Sequence, residues 1–202
     1  SLSIKVGIII AFISLICAAI LAFYLNSLSF WLCVAAVPVI VCYPLAKRVF
    51  PIPQLVLSLA WGFAVLISWT AVTGTLENYT WVLWGITVFW TLGFDTVYAM
   101  SDREDDRKIG VNSSALFFGK YAGEAVGIFF AITAGLWAYL GTIMHLNLGF
   151  WVTWIIALVG WMIQYIRLSS PEIPQETYGQ VFRQNVVLGF VLLLGIIMNI
   201  VF

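Results

Sequence analysis

Three aspartates in the middle of the chain have a spacing that suits metal binding. Asp102 and Asp106 are four residues apart, and Asp95 lies seven residues before Asp102. If a helix runs through this stretch at about 100° per residue, the three carboxylates fall on one stripe of its surface. Carboxylates so close repel one another, so we expect a bound cation or a protonated carboxyl there. Paired carboxylates are typical ligands of Mg²⁺, with water and substrate phosphates completing the coordination.

The charges around these aspartates leave an ordinary alternative open. On the same continuous helix, Arg103 and Arg107 form a neighbouring stripe, and Glu104 pairs with Lys108 at i,i+4 on the far side. In this alternative, the segment is only a solvated loop whose mixed charges stabilise one another. Asp95 favours a functional site over a solvated loop, because it directly follows an apolar run and lies at or near membrane depth. An ionisable group there costs at least a few kcal/mol and usually faces a cavity or a partner.

A second polar segment, residues 42–54, carries a tyrosine and two cations. Tyr43 and Lys47 are four residues apart, and Arg48 follows Lys47. Lysine and arginine here suit a diphosphate or a carboxylate, which arginine binds through its planar fork. The alternative is an ordinary basic loop whose prolines end the adjoining helices, namely Pro44, Pro51 and Pro53.

The elements that position these segments must lie in a membrane. The chain of 202 residues is 63% hydrophobic and only 9% charged, against roughly 25% charged residues in a soluble domain. A spanning helix needs about 20 mostly apolar residues. Seven runs qualify and predict an all-α transmembrane bundle, at 4–24, 29–46, 55–74, 80–100, 114–141, 148–166 and 182–202. Nothing suggests a second domain.

The charges sort to one side of these seven spans. If the polar breaks alternate across the bilayer, one side receives every Lys and Arg of the chain: Lys5, Lys47, Arg48, Arg103, Arg107, Lys108, Lys120, Arg167 and Arg183. The positive-inside rule makes that side cytoplasmic. It also holds every acid except Glu77. We therefore expect a multi-pass protein of a bacterial plasma membrane or an equivalent organelle membrane, with the aspartate-rich loop in the cytoplasm.

Several other functions are disfavoured by composition. The formal net charge is zero, which argues against nucleic acid as a partner, and no protein partner is predicted. The cysteines, Cys17, Cys33 and Cys42, lie inside apolar runs without metal-ligand spacing, so we expect buried, reduced thiols. His145 is the only histidine, which disfavours a multi-histidine metal site and a Ser-His-Asp triad.

Together the two polar segments resemble the UbiA superfamily of intramembrane aromatic prenyltransferases. "YPLAKR" at 43–48 is similar to a Tyr-x-x-x-Lys loop motif of that family. "DTVYAMSDREDDRKIGVNSSALFFG" at 95–119 resembles its second aspartate-rich motif, most closely that of the 4-hydroxybenzoate polyprenyltransferases. The order of the spans agrees over the whole chain.

The resemblance implies a reaction and a set of roles. Such enzymes transfer a polyprenyl chain from its diphosphate to an aromatic ring with Mg²⁺, here 4-hydroxybenzoate in ubiquinone or plastoquinone-type biosynthesis. Asp102 and Asp106 are then the metal-binding pair, and Asp95 is a supporting acid or ligand. Lys47 steadies the diphosphate, Arg48 meets the carboxylate of the acceptor, and Tyr43 orients the substrate or shields a carbocation. Cation–π attraction to such a cation is available from Tyr98 or Phe94.

The chain departs from the family pattern in one respect. The family has nine helices and a first aspartate-rich motif, and nothing similar to that motif precedes the seven spans found here. We expect residues 1–202 to be a partial prenyltransferase domain without the first two helices. With half of the metal ligands missing, this segment alone is expected to be inactive.

Other functions remain open at this point. An enzyme of the same superfamily with a different acceptor would prenylate homogentisate, a naphthoate or a haem. A cation-coupled transporter would use the three aspartates as its ion site, although transporter sites tend to lie near the bilayer midplane in repeated halves. A non-catalytic membrane assembly subunit would give no reason for the three aspartates.

Overall fold

The computed structural model describes residues 3–170 and 172–201, and nearly all of them are helical. The helices are α1 Ile4–Phe23, α2 Ser27–Val49, α3 Pro53–Thr73, α4 Asn78–Ser101, α5 Arg103–Ile109, α6 Ser114–Phe118, α7 Ala122–Ile143, α8 Leu148–Leu168 and α9 Gln175–Val201, with a 3₁₀ turn at Gly119–Tyr121 between α6 and α7. The described residues include no β-strand. The predicted all-α class is confirmed.

Seven segments of the described residues are long and apolar enough to cross a membrane, as the sequence predicted. They are α1, α2, α3, α4, the combined segment Ser114–Ile143, α8, and α9 over Gln175–Asn199. The last helix begins at Gln175, seven residues before the predicted start at 182. The prediction followed the apolar run, and the first turns of this helix are mostly polar. The fifth span is broken by the 3₁₀ turn, where Gly119 has a positive φ of 55°.

The core lies where α4, α7, α8 and α9 meet. Val97, Val126, Phe130, Phe150 and Trp161 are almost completely buried there. Helix α4 packs against α3 on one side and α7 on the other, and it also contacts α9. Helix α1 contacts only α2 closely, and Ala22 is its single buried residue. The aspartate-bearing helix therefore lies at the centre of the bundle.

Two sets of long-range hydrogen bonds define the two ends of the bundle. At one end, the Asn26 side chain donates to the Thr70 carbonyl, and the Asn147 backbone N–H donates to the Asn199 side chain. At the other end, the Gln175 side chain donates to the Ser101 carbonyl over 3.1 Å. The second end carries the lysines and arginines of the loops, and we call it the basic end. The sorting of charge predicted from the sequence follows from this antiparallel arrangement.

Two local expectations were wrong. Pro44 does not end a helix but lies inside α2, which continues to Val49; Pro53, in contrast, begins α3, where its missing N–H leaves no hydrogen bond unmade. Cys17 and Cys42 are exposed rather than buried. Their helices turn those faces away from the bundle, and a face of that kind contacts lipid in a membrane.

Candidate functional site

The three aspartates lie around a break between α4 and α5. Helix α4 ends at Ser101, and Asp102 has φ −99° and ψ 4° before α5 begins. The Ser101 carbonyl accepts from the Gln175 side chain, and this bond satisfies the carbonyl where α4 ends. The expected continuous helix through the motif is thus wrong. Asp102 and Asp106 still lie one helical turn apart, since the Asp106 N–H donates to the Asp102 carbonyl over 2.9 Å.

The acidic residues of the segment separate into two groups. Glu104 and Asp105 are exposed and form salt bridges with Arg107 at 2.8 Å and Lys108 at 3.3 Å, respectively. Both pairs are i,i+3, so the expected i,i+4 pair of Glu104 with Lys108 was wrong, because α5 is a separate short helix with its own phase.

Asp95, Asp102 and Asp106 form the second group. All three are half-buried, and within the described part of the chain none has a cationic side chain within 4.0 Å. The Asp102 carboxylate accepts from the Ser101 hydroxyl over 3.2 Å. Half-buried carboxylates without a cationic partner are available to a ligand, whereas Glu104 and Asp105 are already neutralised.

The donors suit a divalent cation but do not enclose one. Over residues 3–170 and 172–201, no three His, Cys, Asp or Glu side chains lie close enough together to hold a metal ion. The structure therefore does not bring Asp95, Asp102 and Asp106 together into one three-ligand group. A pair of carboxylates one turn apart fits an ion such as Mg²⁺, which usually keeps several waters and takes further ligands from substrate phosphates.

The Tyr-Lys segment docks onto the end of the aspartate-rich segment. The Asn112 N–H donates to the Lys47 carbonyl over 2.7 Å, and the Ser114 N–H donates to the Gln54 side chain over 2.7 Å. Gln54 and Ser114 are 4% and 0% exposed. Two segments that are far apart in sequence are thereby fixed side by side. Sequence reasoning did not identify Gln54, because a single glutamine in an apolar run carries no motif.

This docking brings the predicted phenol and ammonium groups near the carboxylates. The half-buried Lys47 lies within electrostatic range of Asp95, although no ion pair within 4.0 Å forms. Tyr43 lies within the same range of Asp95, Asp106 and Tyr98. Arg48 is exposed and makes no salt bridge with a described residue. Tyr43 is thus within electrostatic range of Asp95 and Asp106, and Lys47 of Asp95, whereas the structure shows no contact of Arg48 with these groups.

An aromatic wall adjoins these groups on α4 and α9. The Phe94 and Phe182 rings are edge to face with centroids 5.6 Å apart, and Tyr98 lies 6.2 Å from Phe182. A cavity of about 220 Å³ beside them is lined by Trp90, Phe94, Phe182 and Asn185, among others. Phe182 was not predicted as a site residue, since it is one of many aromatic residues in the apolar runs and only the contact of α9 with α4 distinguishes it.

Comparison with known proteins agrees with this geometry. The model of the UbiA prenyltransferase family matches residues 1–198. The chain is 70% identical over 199 residues to 4-hydroxybenzoate solanesyltransferase of Synechocystis sp., a match over 98% of this chain and 68% of that protein. It is 39% identical over 179 residues to 4-hydroxybenzoate octaprenyltransferase of Burkholderia vietnamiensis, a match over 89% of this chain and 61% of that protein. The chain thus spans about two thirds of the length of these relatives.

Two solved structures share the fold. A structure described for digeranylgeranylglyceryl phosphate synthase superposes with a TM-score of 0.78 at 18% identity, over 98% of this chain and 70% of that one. A UbiA homolog from Aeropyrum pernix superposes with a TM-score of 0.68 at 21% identity, over 89% of this chain and 66% of that one. The resemblance read from residues 43–48 and 95–119 is confirmed: the chain belongs to the UbiA prenyltransferase family.

Proposed function

We propose that the protein transfers a polyprenyl chain from a polyprenyl diphosphate to the ring of 4-hydroxybenzoate, a step of ubiquinone or plastoquinone-type quinone biosynthesis. One observation carries the proposal: the Tyr-Lys segment is docked on the aspartate-rich segment, with Tyr43 and Lys47 within electrostatic range of its carboxylates. The names of the two relatives above support the acceptor. Membership of the family disfavours the transporter and the assembly subunit.

The carboxylates are proposed to hold a divalent cation together with the diphosphate. UbiA prenyltransferases are in general divalent-metal dependent, and we propose Mg²⁺ here. Asp102 and Asp106 supply the ligands, and Asp95, deeper along α4, acts as a supporting acid or further ligand. When bound, the cation neutralises the negative charge that develops on the departing diphosphate.

The basic and aromatic groups are proposed to act on the substrates. Lys47 donates to a diphosphate oxygen and holds the leaving group near the carboxylates. Arg48, exposed and next to Lys47 in the chain, binds the carboxylate of 4-hydroxybenzoate through its planar fork. Tyr43, within electrostatic range of Asp95 and Asp106, orients the substrate or shields the allylic carbocation.

The bond changes in this reaction balance without a redox partner. The C–O bond between the prenyl chain and the diphosphate breaks, and its electron pair leaves with the diphosphate. The ring carbon ortho to the hydroxyl of 4-hydroxybenzoate forms the new C–C bond and then loses its proton to the released diphosphate or to water. The faces of Phe94, Tyr98 and Phe182 stabilise the allylic cation by cation–π attraction.

A groove between α2 and α3 suits the hydrocarbon tail. It has a volume of about 400 Å³ and is almost wholly apolar, with Tyr43 at its basic end and Ile67 at the other. From Leu57 to Ile67 it follows α3 for about 15 Å at 1.5 Å per residue. An isoprenoid tail lying there leaves its diphosphate at the basic end. The protein spans the membrane several times, and we propose that the basic end faces the cytoplasm.

The test is prenyl transfer by the protein expressed at full length in membranes. Membranes receive 4-hydroxybenzoate, a polyprenyl diphosphate and Mg²⁺, and the prenylated product is measured with and without a chelator. Asp102→Asn and Asp106→Asn should each lower the rate at least about 100-fold, since even outer-shell changes at metal sites cost 10- to 100-fold. Asp105→Asn is the matched control, because that exposed carboxylate is already paired with Lys108.

The same assay separates the rival acceptors. Homogentisate and a naphthoate are offered in place of 4-hydroxybenzoate at equal concentration. Preferential prenylation of one of them would reassign the acceptor within the family. No product from any acceptor in the presence of Mg²⁺, or equal rates in the wild type and both aspartate variants, would refute the proposed function.

A further inference from the structure

A second polar cavity lies at the basic end, between α4, α5, α7 and the loop that joins α8 to α9. Its volume is about 370 Å³. Its polar lining is formed by Arg103, Lys120, Glu124, Ser169, Ser170 and Tyr178. None of these residues belongs to the aspartate group or to the Tyr-Lys segment, so the proposed reaction leaves this cavity unexplained.

The Arg103 guanidinium is only partly satisfied. One terminal nitrogen donates to the Gly119 carbonyl over 3.0 Å. The Nε atom is buried and finds no acceptor among the described residues. A buried donor without an acceptor is unfavourable, and the Arg103 side chain makes only one hydrogen bond to a described residue, so the guanidinium as a whole is open to a further acceptor.

Lys120 adds a second positive charge to the cavity. It is exposed, and its ammonium lies 4.9 Å from the centroid of the Tyr121 ring. No carboxylate of the described chain lies within 4.0 Å of Lys120 or Arg103. Among the described lining residues Glu124 is the one acid, so these residues carry two positive charges against one negative charge.

The backbone at the cavity also favours an anion. Helix α7 begins at Ala122, and Ala122 and Gly123 line the cavity. The Ala122 N–H already donates to the Gly119 carbonyl, so the start of α7 contributes the partial positive charge of its helix dipole rather than this N–H. The Ser169 hydroxyl and the Tyr178 phenol add donors, whereas the Ser170 hydroxyl donates to the Ile166 carbonyl over 3.4 Å. A tetrahedral oxyanion with several acceptor oxygens matches such a set of donors.

The cavity and the aspartate site lie on different sides of the α4–α5 junction. The Arg103 side chain is directed toward Gly119 and the start of α7, whereas Asp95 and Asp106 lie near Tyr43 and Lys47 of α2. We propose that this cavity binds a phosphate group, carried either by an anionic lipid headgroup or by free phosphate. Its position where the spanning helices end is the level at which lipid phosphates lie.

The test measures phosphate binding with the aspartate site disabled. The protein is placed in phosphatidylcholine nanodiscs with a chelator, so that no divalent metal can recruit phosphate to Asp102 and Asp106. Phosphatidylglycerol is titrated in one arm and inorganic phosphate in the other. Binding is followed by native mass spectrometry and by the rise in thermal unfolding temperature. We expect saturable binding in at least one arm, and competition between the arms if both ligands use the cavity.

Matched variants decide whether the cavity is responsible. Arg103→Gln and Lys120→Gln should each weaken binding about tenfold, because each removes a charged hydrogen-bond donor. Glu124→Gln should strengthen it, and Lys108→Gln, which removes an exposed charge on α5, should leave it unchanged. If Arg103→Gln does not fold, the test is decided by Lys120→Gln, which changes an exposed residue. No saturable binding in either arm, or equal binding by wild type, Arg103→Gln and Lys120→Gln, would overturn the proposal.

Discussion

Replacing Gln54 by leucine tests whether the docking of the two polar segments builds the candidate site. The Gln54 side chain accepts from the Ser114 N–H over 2.7 Å, and both residues are at least 96% buried. Leucine has a similar size but no acceptor, so the variant leaves a buried N–H unpaired. Such a group costs about 1–3 kcal/mol. The contact between the segment after α5 and the α2–α3 loop should weaken by that amount.

Hydrogen–deuterium exchange measures this loss locally. Each 1.4 kcal/mol raises the population of the open state tenfold, so amides of residues 111–118 should exchange roughly tenfold faster or more. The apparent KM for the polyprenyl diphosphate should rise, because Lys47 is held against the same segment through the Asn112 N–H. Gln180→Leu, the same change at an exposed position of α9, is the control. Unchanged exchange over 111–118 in the Gln54 variant would refute the role of this contact.

Two further predictions concern packing and buried polar groups. A Cβ at Gly123 would lie 2.5 Å from the Leu168 carbonyl oxygen, so Gly123→Ala should destabilise the protein by about 1–3 kcal/mol. Gly135→Ala, where nothing lies within 4 Å, should leave the thermal unfolding temperature unchanged or raise it; equal effects of the two substitutions would contradict the reasoning. Asn185 accepts from two indole N–H groups at 2.7 and 3.2 Å, so Asn185→Leu should lower the unfolding temperature by orphaning both donors, each at about 1–3 kcal/mol. An Asn185→Leu protein as stable as the wild type would show that these donors find other partners.

Much of the fold was predictable because the bilayer allows few backbone structures. Runs of about 20 apolar residues must be helices, since a lipid-exposed backbone has to satisfy its own hydrogen bonds. Since each span crosses the bilayer, successive loops alternate between its two faces, and this alternation put all the loops with lysine or arginine at one end. The separation of Asp95, Asp102 and Asp106 from Glu104 and Asp105 also followed from helical periodicity, although the helix breaks between the first and the second of these aspartates.

What the sequence could not supply depends on contacts between distant segments. The break at Asp102 involves the Gln175 side chain, which is 74 positions from Ser101. Likewise, the α4–α9 contact makes Phe182 part of the aromatic wall, and the Arg103 side chain donates to the Gly119 carbonyl, 16 positions away. Periodicity within one segment carries no information about such partners.

The bond between Gln54 and Ser114 has a consequence for how the protein is made. Its two residues are 60 positions apart. At a synthesis rate of about 5–20 residues per second, Ser114 is made about 3–12 s after Gln54. During that interval α2 and α3 can already be inserted as a helical hairpin, while the Gln54 carbonyl is still without its partner. The Tyr-Lys segment, for which we propose substrate binding, therefore waits for the aspartate-rich segment, for which we propose metal binding, and the two meet only after α4 has been made.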